Sequence, residues 1–269
     1  MESTIKRLLT AAIALPLLIL LVLKGGFCLF AGFVFLLSLL GLTEYYRMAL
    51  PERRGVGLFA SFAGAMLTLS FLSPENVTLL PALAMLVISF CLLFLFIFRD
   101  IKTAAAEVSL LFMGFLYVPL LLGHLLLLRG LTYGIQWTFL MMVIVMSGDT
   151  GAYYVGCNFG KRKLYPVVSP NKSVEGALGG LLGSVIGAFV AKATFFPQLT
   201  VFDSLATALL LGIFGQLGDL FESFLKRSFG VKDSGAIFPG HGGVLDRLDS
   251  ILFAAPVAFY YAFFVFMRR

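Results

Sequence analysis

Apolar residues fall in long blocks separated by short polar breaks along the whole chain. Nine blocks approach the roughly 20 apolar residues that a helix needs to cross a hydrocarbon layer about 30 Å thick. They are 8–23, 27–42, 56–72, 78–98, 104–122, 131–148, 176–195, 203–221 and 250–267. In lipid every backbone N–H and C=O must be bonded internally, so blocks of this length predict helices. The pattern therefore predicts an all-α, polytopic integral membrane protein with about nine transmembrane helices. The first block has the basic flank of a secretory signal, but it ends in Val22-Leu23-Lys24-Gly25-Gly26 with no small-x-small cleavage site. We read it as the first span.

Composition agrees. The 269 residues are 60% hydrophobic and 13% charged, against about 45–50% and about 25% for soluble domains. So few charges cannot cover a water-facing surface, which argues against a soluble enzyme, a disordered chain and a nucleic-acid binder. The net charge of +6 is unevenly placed. With nine alternating spans, only Lys24, Arg129, Lys192, Arg268 and Arg269 of the 20 basic residues fall on one side; the rest share the side of Lys6 and Arg7. Basic loops stay in the cytoplasm. The N-terminus is thus expected inside, the C-terminus outside, and the polar segments 149–175 and 222–249 on the cytoplasmic face. Three scattered cysteines make no metal set, and Cys28 and Cys91 are expected as small core residues.

Residues 1–148 are expected as N-terminal transmembrane helices, and residues 149–269 as the C-terminal transmembrane region carrying the chemistry, together one integrated membrane domain. In the first part, Pro16 and Pro119 are expected to bend their helices. Glu44, Tyr45 and Tyr46 suit an interfacial span end, and Glu107 and His124 suit capping or interfacial roles. In the second part, Gly179, Gly183 and Gly187 recur every fourth residue and present one bare helix face. Such a face lets another helix approach closely, within the subunit or across a dimer.

Three polar constellations stand out. Asp149 follows block six in Ser147-Gly148-Asp149-Thr150-Gly151 and either caps a helix starting near Thr150 or faces a polar cavity. Ser169-Pro170-Asn171-Lys172-Ser173-Val174-Glu175-Gly176 offers Lys172 to phosphate and puts Glu175 at a positive helix end; it is not a Walker loop. The third runs from Asp219 at the inner end of block eight through Glu222, Lys226 and Arg227 to Lys232, His241, Asp246, Arg247 and Asp249. On helices, Asp219/Glu222 and Asp246/Asp249 are i,i+3 neighbours and Glu222/Lys226 are i,i+4. Carboxylates beside cations at a membrane face suit a hard divalent cation carrying phosphates. His241 suits a phosphate contact or loop organiser, because a phosphate nucleophile is already anionic.

The stretch Ser223-x-Leu225-Lys226-Arg227, Lys232-Asp233-x-Gly235, Phe238-Pro239-x-His241-Gly242-Gly243-x-x-Asp246-Arg247-x-Asp249 resembles the signature of the phosphatidate cytidylyltransferase (CDP-diacylglycerol synthase) family. The blocks at 149–153 and 169–176 are similar to others of that family. Residues 1–148 match only in being multi-spanning, and Asn171 stands where relatives often carry a basic residue. The resemblance implies transfer of the cytidylyl group of CTP to phosphatidic acid, with Mg²⁺ and with K⁺ as the candidate second cation, in a homodimer within the bacterial inner membrane. It implies metal-site roles for Asp219 and Asp246, then Asp249 and Asp149. Lys226, Arg227, Lys232 and Arg247 are implied as phosphate partners, with Lys172 and Ser173 positioning the nucleotide. The competing readings are a CTP-dependent polyprenol kinase, which transfers the γ-phosphate, and an ion-coupled transporter with Asp149 and Asp219 on its path.

Overall fold

Eight helices among the described residues are long and apolar enough to cross a membrane: Gly26–Ala49, Pro51–Leu72, Leu79–Ile97, Ile101–Gly130, Gly134–Phe159, Val174–Thr194, Val201–Ser228 and Leu245–Phe266. They correspond one to one with blocks two to nine. The computed structural model describes residues 16–73, 78–237 and 242–268. The first half of block one, 8–15, therefore lies outside the described residues; its second half, 16–23, is helical.

We label the α-helices α1 (Gly26–Ala49), α2 (Arg54–Leu69), α3 (Leu79–Ile97), α4 (Ile101–Tyr117), α5 (Pro119–Gly130), α6 (Gly134–Phe159), α7 (Val174–Thr194), α8 (Val201–Ser228) and α9 (Leu245–Tyr261). An antiparallel hairpin, β1 (Lys163–Tyr165) and β2 (Ser169–Ser173), joins α6 to α7. Hydropathy marks where lipid begins, and helices need not stop there. At about 1.5 Å per residue, the 28 residues of α8 extend about 42 Å, well beyond a 30 Å core. The polar ends of α6 and α8 are therefore continuous helix projecting past their apolar blocks. Pro119 acts as expected, since Val118 breaks the helix between α4 and α5. Pro256 lies inside α9, which ends in a π-helical turn at Ala262–Phe266.

The chain divides into two compact units, Met1–Leu127 with Asp233–Asp246, and Leu128–Lys232 with Arg247–Arg269. In the first unit, the α1 tyrosines are core residues. Tyr46 O–H donates to the Leu111 carbonyl at 2.7 Å and Tyr45 O–H to that of Leu110 at 3.0 Å. The Tyr46 and Phe90 rings meet Phe115 edge-on. Glu44 is buried beside them, and each of the three polar tips finds a protein partner. Glu107 does not cap α4, because Asp100 does. Glu107 instead receives Arg53 Nε at 3.0 Å, while Arg53 also reaches the Ile97 carbonyl at 2.8 Å. His124 is buried against Phe71, its Nδ1 2.9 Å from the Leu120 carbonyl. Cys28 and Cys91 are exposed on helix surfaces, contrary to the core expectation.

In the second unit, α6 and α7 pack backbone to backbone along the glycine face. Gly151 lies against the Gly179 carbonyl, Gly183 against that of Ser147, and Gly187 against the Ser147 hydroxyl. The face is thus filled within the chain, and a dimer would need another surface. Farther along, Trp137 is buried against Phe196, Tyr261 and Phe266. Beside this cluster Thr200 and Asp203 form a capping box at the start of α8, and Tyr261 O–H donates to Asp203 Oδ1 at 2.7 Å.

Candidate active site

Four elements of the second unit bring acidic and basic side chains to one place. Helix α6 carries Asp149, strand β2 carries Lys172 and Ser173, and α8 carries Asp219, Glu222, Lys226 and Arg227. Helix α9 carries Arg247 and Asp249. Lys172 Nζ stands 2.8 Å from Asp219 Oδ1. Asp149 lies within electrostatic reach of Asp219, Lys172 and Arg247, and Asp249 within reach of Asp219, Glu222 and Asp149. Asp249 Oδ1 also accepts the Ser250 amide at 2.7 Å. The acids that sequence spacing placed on separate segments are therefore neighbours.

Local sequence explains the convergence. Gly218 precedes Asp219, and a Cβ there would collide with the backbone oxygen of Asp249. Glycine thus lets α8 and α9 touch at the level of the two carboxylates. Ser173 is the N-cap of α7, its Oγ accepting the Gly176 amide at 3.1 Å, which holds Lys172 at the end of β2. Glu175, in the first turn, accepts the amides of Lys161 and Arg162 at 3.0 and 3.1 Å and so fixes the start of the hairpin. Asp149 is no N-cap, because α6 runs through it without a break.

The cations differ in their surroundings. The Lys226 ammonium is paired with Glu222, whose side chain is fully buried, as the i,i+4 spacing anticipates. Arg227 Nη1 approaches the Val231 carbonyl at 3.4 Å, and Lys232 is exposed. Gln216, one turn before Asp219, donates from Nε2 to the Ala177 carbonyl at 3.1 Å and ties α8 to α7. Sequence reading gave it no role, although an amide inside an apolar span is itself a signal.

Asp246 belongs to the first unit. Its Oδ2 accepts the Ser234 amide at 3.0 Å, the Ser234 hydroxyl at 2.9 Å and the Gly243 amide at 2.7 Å. One oxygen of this carboxylate thus organises the signature segment. Glu44 on α1 adds two more bonds to that segment, from the amides of Val244 and Leu245, and shares the single Ser234 hydroxyl proton with Asp246. Sequence reading missed this role too. His241 lies outside the described residues.

The donors of the second-unit cluster are all carboxylate oxygens, the set preferred by a hard cation such as Mg²⁺. Among the described residues no group of three or more His, Cys, Asp or Glu is placed so that it could hold a metal ion. Mg²⁺ does not require one, since it is commonly held by one or two carboxylates together with waters and substrate phosphates. Lys172 on Asp219 already shows that this carboxylate takes a cationic partner. Carboxylates are the ligand type that a magnesium ion delivered with a polyphosphate takes.

The chain is 36% identical over 252 residues to a phosphatidate cytidylyltransferase of Staphylococcus epidermidis, covering 93% of this chain and 96% of the relative. It is 37% identical to the protein of that name from Staphylococcus haemolyticus and 36% to that from Staphylococcus aureus, with the same coverage. The similarity is not confined to the C-terminal motifs, as sequence reading had it: the profile of the cytidylyltransferase family matches residues 5–265, spans included. With that match over nearly its whole length, the chain belongs to the cytidylyltransferase family.

Proposed function

We propose that this protein transfers the cytidylyl group of CTP to phosphatidic acid, giving CDP-diacylglycerol and pyrophosphate. The observation that carries the reading is the cluster of Asp149, Asp219, Asp249 and Lys172, in a chain whose relatives bear the name phosphatidate cytidylyltransferase. In the proposed reaction an oxygen of the lipid phosphate attacks the α-phosphorus of CTP. The bond from that phosphorus to the bridging oxygen breaks, and its electron pair leaves with pyrophosphate. No proton needs to be removed from the nucleophile.

Each residue then has a task. Asp219 and Asp249, with Asp149 beside them, would hold Mg²⁺; Asp246 is retained on the strength of the signature motif. Mg²⁺ supplies charge neutralisation between two anionic reactants and on the departing phosphates. Lys172 is placed to exchange Asp219 for a phosphate oxygen when substrate arrives, and Ser173 fixes its backbone. Arg227, Lys232 and Arg247 supply further positive charge for the triphosphate or the lipid phosphate, while Lys226 reaches phosphate only by sharing its charge with Glu222. We further propose a second, monovalent cation such as K⁺ in the acidic cluster, a homodimer, and residence in the bacterial inner membrane with the cluster facing the cytoplasm. The uneven distribution of basic loops supports that orientation.

Two labelled nucleotides test the reaction. Purified protein given phosphatidic acid, Mg²⁺ and CTP labelled at the α-phosphorus should place the label in lipid, while label at the γ-phosphorus should appear in pyrophosphate. Gamma label in the lipid would reject the proposal in favour of a lipid kinase. Ion flux in proteoliposomes without any nucleotidyl transfer would reject it in favour of a transporter.

A further inference from the structure

We infer that Glu44 is a positioning residue for the transfer reaction, acting through the signature segment that ends in Asp246. The inference rests on the reading of the reaction given above. Glu44 lies on α1 and is separated from the segment by about 200 residues. Its Oε1 accepts the Val244 amide at 2.9 Å and its Oε2 the Leu245 amide at 2.8 Å. These are the N-cap residue and first residue of α9, whose leading amides have no partner within the helix. A carboxylate at that position meets the positive helix end as well as two N–H donors, a favourable environment for buried charge. Glu44 is 1% exposed, so these bonds are made without competition from water.

The same carboxylate reaches Asp246 through one hydroxyl. Ser234 Oγ lies 3.1 Å from Glu44 Oε2 and 2.9 Å from Asp246 Oδ2, and it accepts the Asp246 amide at 3.3 Å. Two glycines complete the fit. A Cβ at Gly235 or Gly243 would collide with the Glu44 carboxylate, so both glycines lie directly against the acid. Glu44 therefore fixes the start of α9 and the orientation of Asp246 together. An amide in its place would retain one acceptor and turn N–H groups towards donors, leaving the buried amides mismatched.

The test compares Glu44→Gln and Ser234→Ala with the wild type in the full-length protein, purified into nanodiscs. The substrate-free readout is hydrogen exchange of the amides at 242–246, which should quicken in both variants. The kinetic readouts are kcat, the KM values and the Mg²⁺ concentration for half-maximal rate. Groups that orient a metal-site residue change affinity or activity by about 10–100-fold. We expect kcat to fall within that range and the Mg²⁺ requirement to rise, with KM for CTP little changed. The double variant should be no worse than the more impaired single one, because both act through one connection. If Glu44→Gln does not fold, Ser234→Ala alone decides the matter, since it spares both helix amides. Wild-type exchange, kcat and Mg²⁺ dependence in Glu44→Gln, or in Ser234→Ala where the first does not fold, would overturn the inference. So would losses that add in the double variant. Failure of the wild type to form CDP-lipid would instead reject the proposed reaction, while exchange would still report on the anchor.

Discussion

Replacing Gly151 by alanine tests whether the α6–α7 contact sets the geometry of the acidic cluster. A Cβ at this position would lie 2.5 Å from the Gly179 carbonyl oxygen, 3.2 Å from its carbon and 3.4 Å from the Gly183 Cα. All three are backbone atoms, so no side chain can rotate aside. Carbon–oxygen contacts settle near 3.3 Å or more, so the helices must part locally by about 0.8 Å. Overpacking of this kind costs about 1–3 kcal/mol. The larger effect should be on rate: Asp149 is two residues away on the same helix, and a misplacement of about 1 Å can cost about 100-fold. The assay pairs thermal unfolding with CDP-diacylglycerol formation. Gly32→Ala is the control, because nothing lies within 4 Å of a Cβ there and alanine favours a helix over glycine by about 1 kcal/mol. Wild-type stability and turnover in Gly151→Ala would refute the reasoning, as would an equal loss in Gly32→Ala.

Other expectations follow from single contacts. Asp219→Asn removes the charge that Lys172 meets at 2.8 Å and should lower turnover at least about 100-fold, equivalent to about 2.7 kcal/mol of barrier, while the protein still inserts; near-normal turnover in the purified variant would dismiss Asp219 from the site. Tyr261→Phe leaves the buried Asp203 without one donor and should cost about 1–3 kcal/mol of stability, read as a lower unfolding midpoint with kcat unchanged. Removing divalent cations with a chelator should abolish transfer and Mg²⁺ should restore it; activity that persists in the chelator would contradict the oxygen-ligand reading.

Local patterns were the legible part of the chain. Blocks two to nine each became a helix, because lipid enforces internal hydrogen bonding wherever the chain is apolar for long enough. The Glu222–Lys226 pair and the placement of Glu175 followed from helix spacing alone. What stayed hidden needed a partner distant in sequence. Lys172 meets Asp219 across 47 positions, and nothing local announces it. Asp149 looked like a helix start because the apolar run stops there, yet α6 continues, its polar end lying along the small residues of α7. Glu44 was assigned to the membrane interface together with Tyr45 and Tyr46, because aromatics suit the headgroup level. The rule that made Asp219 conspicuous, a carboxylate at the inner end of an apolar span, applied equally to Glu44.

The pairing of Lys172 with Asp219 has a bearing on how the resting enzyme behaves. Four acids, Asp149, Asp219, Glu222 and Asp249, face three cations, Lys172, Lys226 and Arg247, so the unliganded cluster is almost electrically balanced. On the proposed reading, a nucleotide arriving with its own divalent ion would exchange partners with the lysine, ammonium to phosphate and metal to carboxylate, so that neither Asp219 nor Lys172 is left without an opposite charge. Such an exchange would make bare inorganic phosphate a poor competitor, since it brings no ion to replace the one it would take from Asp219.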